Sequence, residues 1–564
     1  MVTRNEALAE LTAPGQPFEI ENITAIGRKI RAFKNAPKNV GQIFAETRSD
    51  KTFLVYEDER LTFEDVWQRA CTLAHALKTD FGVQKGDRIA LSMRNYPEWI
   101  ISYMAATSIG AMLVAMNALW SPDEMAFGLS NSEPKVLIVD QERLDRFGQI
   151  ASPPRLGVIA ARTSKALPAG VKAWADVVKA PLKTAMPDAF VNPDDDLQML
   201  FTSGSTGNPK GAVSTHRNVI SALLSWELDL HAAWETGLLA RPPTDPPPPQ
   251  PAMLLGIPLF HVTGLLSCYM SSYRFQRRIV MMYKWDVAKA ADIIDSEGIT
   301  HMVATPAITG DMVAFARDKG RKFPTLVSIG GGGASRAPEQ VRAIDAVFEK
   351  AFPATGWGMT ETNAIGVGIA AGDYLRKPES SGRASAVLDL RIVDPATGQL
   401  MPTGERGELQ IRGASMMREY WRRPDAMAKE FVDGDWFKTG DVAIIDDEGF
   451  VFIVDRIKDL VIRGGENIGC GSVEYALQEH PDVAEACVYG VPDERLGEEV
   501  AATLFVTKPV NEADLRGFLE TRLAKFQVPR YIDMVREPLP RGATGKIMKR
   551  ELRDQAAKRL SAKV

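Results

Sequence analysis

The chain is poor in the two residue types that build metal and disulfide frameworks, with 4 cysteines and 6 histidines in 564 residues. Cys71, Cys268, Cys470 and Cys487 are scattered without a paired spacing. That excludes a thiolate metal knuckle and a disulfide scaffold, and fits a reducing, cytoplasmic setting. The histidines form no close ligand pair either. Charge of one sign is also missing: 67 Lys and Arg face 72 Asp and Glu, and no basic block is long enough to serve as a nucleic-acid surface. The N-terminus, Met1 to Glu6, has no apolar core of the signal-peptide kind, and no internal repeat is evident. One uncharged stretch, Trp99 to Trp120, is long enough to span a bilayer. It reads instead as a buried helix from Pro97 to Ile109, ended by Gly110, and a buried strand from Ala111 to Met116. No transmembrane segment is expected.

What is present is strand–helix alternation. Thr52 to Tyr56 reads as a strand, Thr62 as the N-cap of a helix, and Arg88 to Met93 and Val136 to Val139 as further strands. This is the pattern of parallel sheet with crossover helices. Residues 1 to about 50 read as an N-terminal extension with a helix or two. Arg241 to Pro251 holds 7 prolines and excludes helix and inner strand. Met253 to Pro258, Ile299 to Val303 and Val327 to Ile329 continue the strand series. From 388 to 455 short alternating strands suggest a small β-rich subdomain, and beyond Arg456–Asp459 about 100 residues form a domain-sized α/β unit. The fold class is therefore α/β. A large N-terminal domain of parallel-rich sheets and helices (1–456) carries the small β-rich subdomain. A hinge (457–458) leads to a small mobile α/β C-terminal domain (459–564).

The chain is organised around Thr202-Ser203-Gly204-Ser205-Thr206-Gly207-Asn208-Pro209-Lys210-Gly211. Small hydroxyl residues and glycines after an apolar strand let backbone N–H groups converge on a polyphosphate, with Lys210 as a point charge at the rim. The common P-loop ends in Gly-Lys-Ser/Thr, and this stretch does not. Further along stand Pro258-Leu259-Phe260-His261, the glycine run Gly330 to Gly333, Gly356 to Glu361, Lys438-Thr439-Gly440-Asp441, Asp455-Arg456-Ile457-Lys458-Asp459, Gly464-Gly465-Glu466-Asn467 and Thr544-Gly545-Lys546. Any one is weak evidence. Together, in this order and over nearly the whole chain, they resemble the adenylate-forming enzymes, and within these most the acyl-CoA synthetases and aryl-CoA ligases.

The resemblance implies a reaction in two halves. A carboxylate attacks the α-phosphorus of ATP to give an acyl-adenylate and pyrophosphate, and the thiol of CoA then takes the acyl group and releases AMP. It assigns Thr202, Ser203, Gly204, Ser205, Thr206, Gly207 and Lys210 to the β- and γ-phosphates. Gly332, Gly333 and Ala334, with Gly356, Trp357, Gly358, Met359 and Thr360, would form the adenine slot, Trp357 standing where the family commonly has tyrosine. Asp441 and Arg456 would hold the ribose, and Glu361 the Mg2+. Lys546 would bridge the substrate carboxylate and the α-phosphate, and His261 would lie beside both. The acid pocket falls on His261, Thr263, Gly264, Thr305, Gly331 and Asn363, mostly small or apolar residues, so a hydrophobic acid (fatty, aryl or alicyclic) is expected. Gly464, Gly465 and Glu466 would meet CoA after a rotation about Lys458. Here Gly469-Cys470-Gly471-Ser472 departs from the family's Tyr-Pro continuation, which puts the thiol-tunnel contacts in question.

Three other readings remain open on the sequence: a free-standing enzyme loading a carrier protein, a non-catalytic nucleotide sensor, and a light-emitting oxidase, for which nothing here asks. No carrier module follows Lys546. Partners are thus a small carboxylic acid, ATP and CoA. A homodimer is allowed, and the spacing Pro540 to Lys546 resembles the target pattern of bacterial lysine acetyltransferases.

Overall fold

The computed structural model describes residues 2–202, 209–334, 336–464, 466–542 and 545–561. Two large sheets dominate. The first has 8 strands, and the run from Asp196–Thr202 through Met112–Ala115, Arg88–Ser92, Val136–Asp140 and Gly157–Ala161 to Val171–Ala173 is parallel. Lys210–Thr215 turns back antiparallel on Asp196–Thr202, and Glu419–Tyr420 pairs beyond it, with Ala212 opposite Tyr420. The second sheet has 9 strands. At its centre Arg278–Met281, Ala252–Leu255, His301–Ala304, Ser328–Gly331 and Phe352–Trp357 run parallel.

The helices between the sheets form as their sequences dictate. Thr62 caps Phe63–Thr79 in a reciprocal capping box with Asp65. Pro97 opens Pro97–Ser108, and Gly110 leaves the helix at φ 73°. One apolar core runs from Ile89 and Leu113 of the first sheet, through Trp99 and Tyr103, to Leu254 and Ile279 of the second. Among the described residues no helix is long and apolar enough to cross a membrane.

A third, antiparallel sheet of 5 strands covers 388–456. A fourth sheet, also of 5 strands, is built only from 461–535. It encloses its own core with the helices Cys470–Gln478 and Glu512–Glu520. This is the large N-terminal region and small C-terminal α/β unit that the sequence predicts.

Three local expectations need correction. The N-terminal extension contains a hairpin, Ile20–Ala25 with Arg28–Phe33, besides its two helices. Gly330 and Gly331 belong to the strand Ser328–Gly331, which runs two residues past the expected end at Ile329. The segment after His261, for which the strand series of Met253 to Pro258 gave no helix, is a π-helix, Thr263–Met270. Its Gly264 sits where a Cβ would meet the Pro258 carbonyl oxygen at 2.2 Å, so this glycine permits backbone packing and does not widen the acid pocket.

Candidate functional site

The C-terminal ends of the parallel strands in the second sheet open into a cleft of about 2500 Å³. Thr202 and Lys210 enter from the first sheet, Gly331 to Gly333 and Gly356 to Glu361 (except Trp357) from the second. Arg456, Lys458 and Lys546 close it from the C-terminal side. Ser203, Gly204, Ser205, Thr206 and Gly207 of the expected phosphate loop lie outside the described residues, as does Gly465. The strands flanking that loop pair Thr202 with Lys210.

Glu361 is buried and faces the cleft. Its Oε1 accepts a hydrogen bond of 2.6 Å from the Tyr420 hydroxyl. Desolvation raises its pKa above the usual carboxylate range, opposed by Tyr420, Lys210 and Arg456. The Lys210 ammonium stands 3.9 Å from the centre of the Tyr420 ring and 3.7 Å from Glu430. Tyr420 therefore holds both the carboxylate and the cation, yet no sequence pattern pointed to it. Its pairing with Ala212 beside the phosphate-loop strand is a tertiary fact.

On the opposite side, Lys546 projects between glycine backbones. A Cβ on Gly333 would lie 3.6 Å from its Cε. Gly545 takes φ 78° and packs so closely that a Cβ would meet Thr305 Oγ1 at 2.9 Å, a position only glycine fills without strain. Lys546 keeps solvent contact through the cleft, but the surrounding walls and then Arg456 hold its pKa below the ordinary lysine range, against Asp441 and Glu361. His261 lines the same space with Thr263, Thr305, Gly332 and Gly333. Desolvation, then the Lys546 charge, pushes its imidazole down to about 4, so it is neutral at ordinary pH.

Other expected site residues lie elsewhere. Trp357 is not on the cleft wall. Its indole packs over Gly366, where a Cβ would sit 2.7 Å from the ring, and its Nε1 donates 2.7 Å to Asp441 Oδ2. A half-buried indole N–H needs an acceptor, and Asp441 supplies one. Asp441 is itself buried behind Thr439 and Gly440, with Oδ1 paired to Arg456 Nε at 3.2 Å. Each of its oxygens thus has one protein partner, Trp357 or Arg456. Asn363 is fully buried, bonded to Gln198 at 3.3 Å and to the Ser415 carbonyl at 2.8 Å; it ties the strand Asp196–Thr202 to the segment after Gly407–Gly413 and does not line the cleft. Ala334 is exposed beyond the glycine run, and Gly464 and Glu466 are exposed and away from the cleft wall.

Among the described residues no three His, Cys, Asp or Glu side chains gather to hold a metal alone. Glu361, a buried carboxylate on the cleft wall, suits Mg2+ shared with phosphate oxygens, the usual donor set for that ion.

The family model for the AMP-binding enzyme matches residues 42–421, and that for the AMP-binding enzyme C-terminal domain matches 472–546. A long-chain-fatty-acid–CoA ligase of Mycobacterium tuberculosis is 34% identical over 508 residues, which is 88% of this chain and 93% of that protein. A 2-succinylbenzoate–CoA ligase of Bacillus velezensis is 30% identical over 514 residues, 90% of this chain and 96% of that one. Among solved structures, an anthranilate CoA ligase in complex with anthranoyl-AMP superposes with TM-score 0.83 at 25% identity, covering 93% of this chain and 98% of that chain. The o-succinylbenzoate coenzyme A synthetase of Bacillus subtilis, in complex with ATP and magnesium ion, gives 0.76 at 26% identity, covering 92% and 99%.

Proposed function

The chain belongs to the AMP-binding enzymes and is an ATP-dependent acid–thiol ligase; from that premise we propose that it activates an acid with a hydrophobic body and passes the acyl group to CoA. The observation that carries this reading is the meeting of Lys546, Glu361, Lys210 and Arg456 with the glycine backbones of 331–333 in one cleft. Three of these four side chains are cationic, and the reaction brings a carboxylate against a polyphosphate.

In the first half-reaction a carboxylate oxygen of the acid forms a bond to the α-phosphorus, and the bond to pyrophosphate breaks with its electron pair. Lys546, between the glycine run and Thr305, neutralises the incoming carboxylate and the α-phosphate together. Lys210, braced by Tyr420 and Glu430, faces the departing phosphates. Magnesium would be held by Glu361 with the nucleotide's phosphates and would supply charge neutralisation there. His261 stays neutral and so offers the carboxylate a polar neighbour without a competing charge. In the second half-reaction the thiol sulfur bonds to the acyl carbonyl, AMP leaves with the bonding pair, and the thiol proton passes to solvent.

The apolar reading of the acid rests on Val262, Val303, Trp226 and Leu230, which line the cleft beyond His261. Acid-dependent exchange of pyrophosphate into ATP tests the first half, with a panel of aliphatic and aromatic acids. Exchange that requires an acid, followed by thioester formation with CoA, is the expected result. Exchange followed by transfer only to a carrier protein would replace CoA ligation with carrier loading. No exchange with any acid would leave a nucleotide sensor.

A further inference from the structure

The cleft does not stop at the acid site. It continues along the second sheet toward the N-terminal ends of its strands, where His301, Ser328 and Phe352, each the first residue of its strand, line it. Four strand steps separate His301 from Thr305, about 13 Å at 3.3 Å per residue. The middle of this channel is apolar, walled by Val303, Ala354 and Leu230.

Its far end is not. Arg277 lines it, just after the helix Ser271–Arg274. The guanidinium donates one long hydrogen bond of 3.3 Å, to Ser271 Oγ, and stands 4.6 Å from the centre of the Phe275 ring. Ser271 and Phe275 line the channel too. Among the described residues no carboxylate pairs with Arg277. Desolvation pushes its pKa down to about 10, which leaves it charged at neutral pH. Its neighbours carry no charge to balance it. The Cys268 thiol is pushed up to about 12 by burial, and burial together with Arg277 holds His301 well below its ordinary value. Arg277 is half-buried, and a partly desolvated guanidinium, with five donors in a rigid fork suited to a carboxylate, is better paired than left with one long hydrogen bond. Nothing in the adenylation or thiol-transfer steps uses it, because it lies beside His301, whereas Lys546 follows the Gly545 that packs on Thr305, four residues along.

We propose that the acid activated here is a dicarboxylate: one carboxylate reacts beside Lys546, an apolar body fills the channel, and the second carboxylate is received by Arg277 and Ser271. The proposal rests on the ligase reading and names the substrate class for that site.

The test is a series of straight-chain monoacids and the α,ω-diacids of the same carbon numbers, with extended lengths bracketing the channel. Pyrophosphate release gives kcat/KM for each. The wild-type protein is expected to prefer the diacid of fitting length over its matched monoacid by at least about tenfold, since a site with a buried polar anchor rejects ligands that leave it unpaired. Arg277→Met should lower the diacid-to-monoacid ratio to one or below, and Arg277→Lys, which keeps the charge, should restore part of it. Monoacids turned over better than every matched diacid, or a ratio untouched by Arg277→Met, would overturn the proposal while leaving the ligase intact. Where Arg277→Met fails to fold, the wild-type ratio decides alone. Silence of both series would remove the ligase reading and this inference with it.

Discussion

Two glycine-containing loops of the C-terminal unit end in different surroundings. Gly545–Lys546 reaches into the cleft, its backbone against Thr305 and its ammonium beside Gly333. Gly464 and Glu466 belong to the same unit, yet both are exposed, and the Gly464 N–H is spent on the Leu496 carbonyl at 2.8 Å. We propose that a rotation of the unit exchanges the two loops at the acyl group. The contacts at its base show what holds the observed face in place. Asp455, in the last strand of the third sheet, accepts from the Cys470 N–H and, at 3.4 Å, from the Gly471 N–H. It thereby caps the helix Cys470–Gln478, whose own N-cap Gly469 has no side chain to do so. A Cβ on Gly471 would stand 3.2 Å from the Val454 carbonyl oxygen. Gly469-Cys470-Gly471, the stretch that departs from the family pattern, is thus where the C-terminal unit seats closely on the N-terminal region.

The largest effect should follow from breaking the inward loop. Lys546→Ala, or acetylation of Lys546, removes the charge set between two anions. Loss of a comparable preorganised donor lowers rate by about 100- to 1000-fold. Adenylate formation should fall by that order, whereas thioester formation from pre-made acyl-adenylate should survive. Pyrophosphate release and thioester formation, measured separately on protein whose acetylation is verified by mass spectrometry, distinguish the two. Equal loss in both would mean that the inward and outward loops do not divide the work.

A smaller and opposite asymmetry is expected at the joint. The Ile457 N–H bonds to the Gly440 carbonyl at 2.9 Å, and the Asp459 and Leu460 N–H groups both bond to the Arg456 carbonyl. Among the described residues Lys458 has no backbone hydrogen bond in that turn, and we propose it as the hinge. Lys458→Pro fixes φ without removing one of those bonds. It should slow thioester formation more than adenylate formation. A variant slowed equally in both steps would move the hinge elsewhere.

How much of this was legible beforehand differs by element. The capping box at Thr62, the strand Thr52–Tyr56 and the helix opened by Pro97 depend on local chemistry, and each lies where the sequence puts it, to within a residue. Sheet membership does not. Thr52–Tyr56 forms a local antiparallel pair with Glu59–Thr62, but its other neighbour is Arg278–Met281, more than 200 residues away. Gly332, Gly333, Gly356 and Gly358 line the cleft as their motifs suggest; at Gly356 and Gly358 a Cβ would meet neighbouring backbone at 2.8 and 2.5 Å, and Gly333 takes φ 81°. Trp357, Asn363 and Gly264 do not line the cleft. A motif position says which residue stands near the site, but hydrogen-bond demand and backbone packing decide what it faces. Tyr420 and Arg277 left no motif at all, since each acquires its role through strands or channels distant in sequence.

The subtlest difference between the two loops is electrostatic and appears in alkali. Only the inward loop needs a charged group, the Lys546 ammonium. Desolvation, then Arg456, lowers its pKa, while Asp441 and Glu361 raise it. The ammonium is present below that pKa and is lost as pH rises through it, so adenylate formation should decline at a pH below the ordinary lysine range. Arg456→Gln removes the opposing positive charge and also frees Asp441 Oδ1 from its 3.2 Å pairing. Both changes stabilise the ammonium, so the alkaline limb should move to higher pH. The limb for thioester formation from pre-made adenylate should not follow it. Rate–pH profiles of the two half-reactions, wild type against Arg456→Gln, measure this directly. A limb that stays fixed, or moves downward, would mean that a group other than Lys546 sets it.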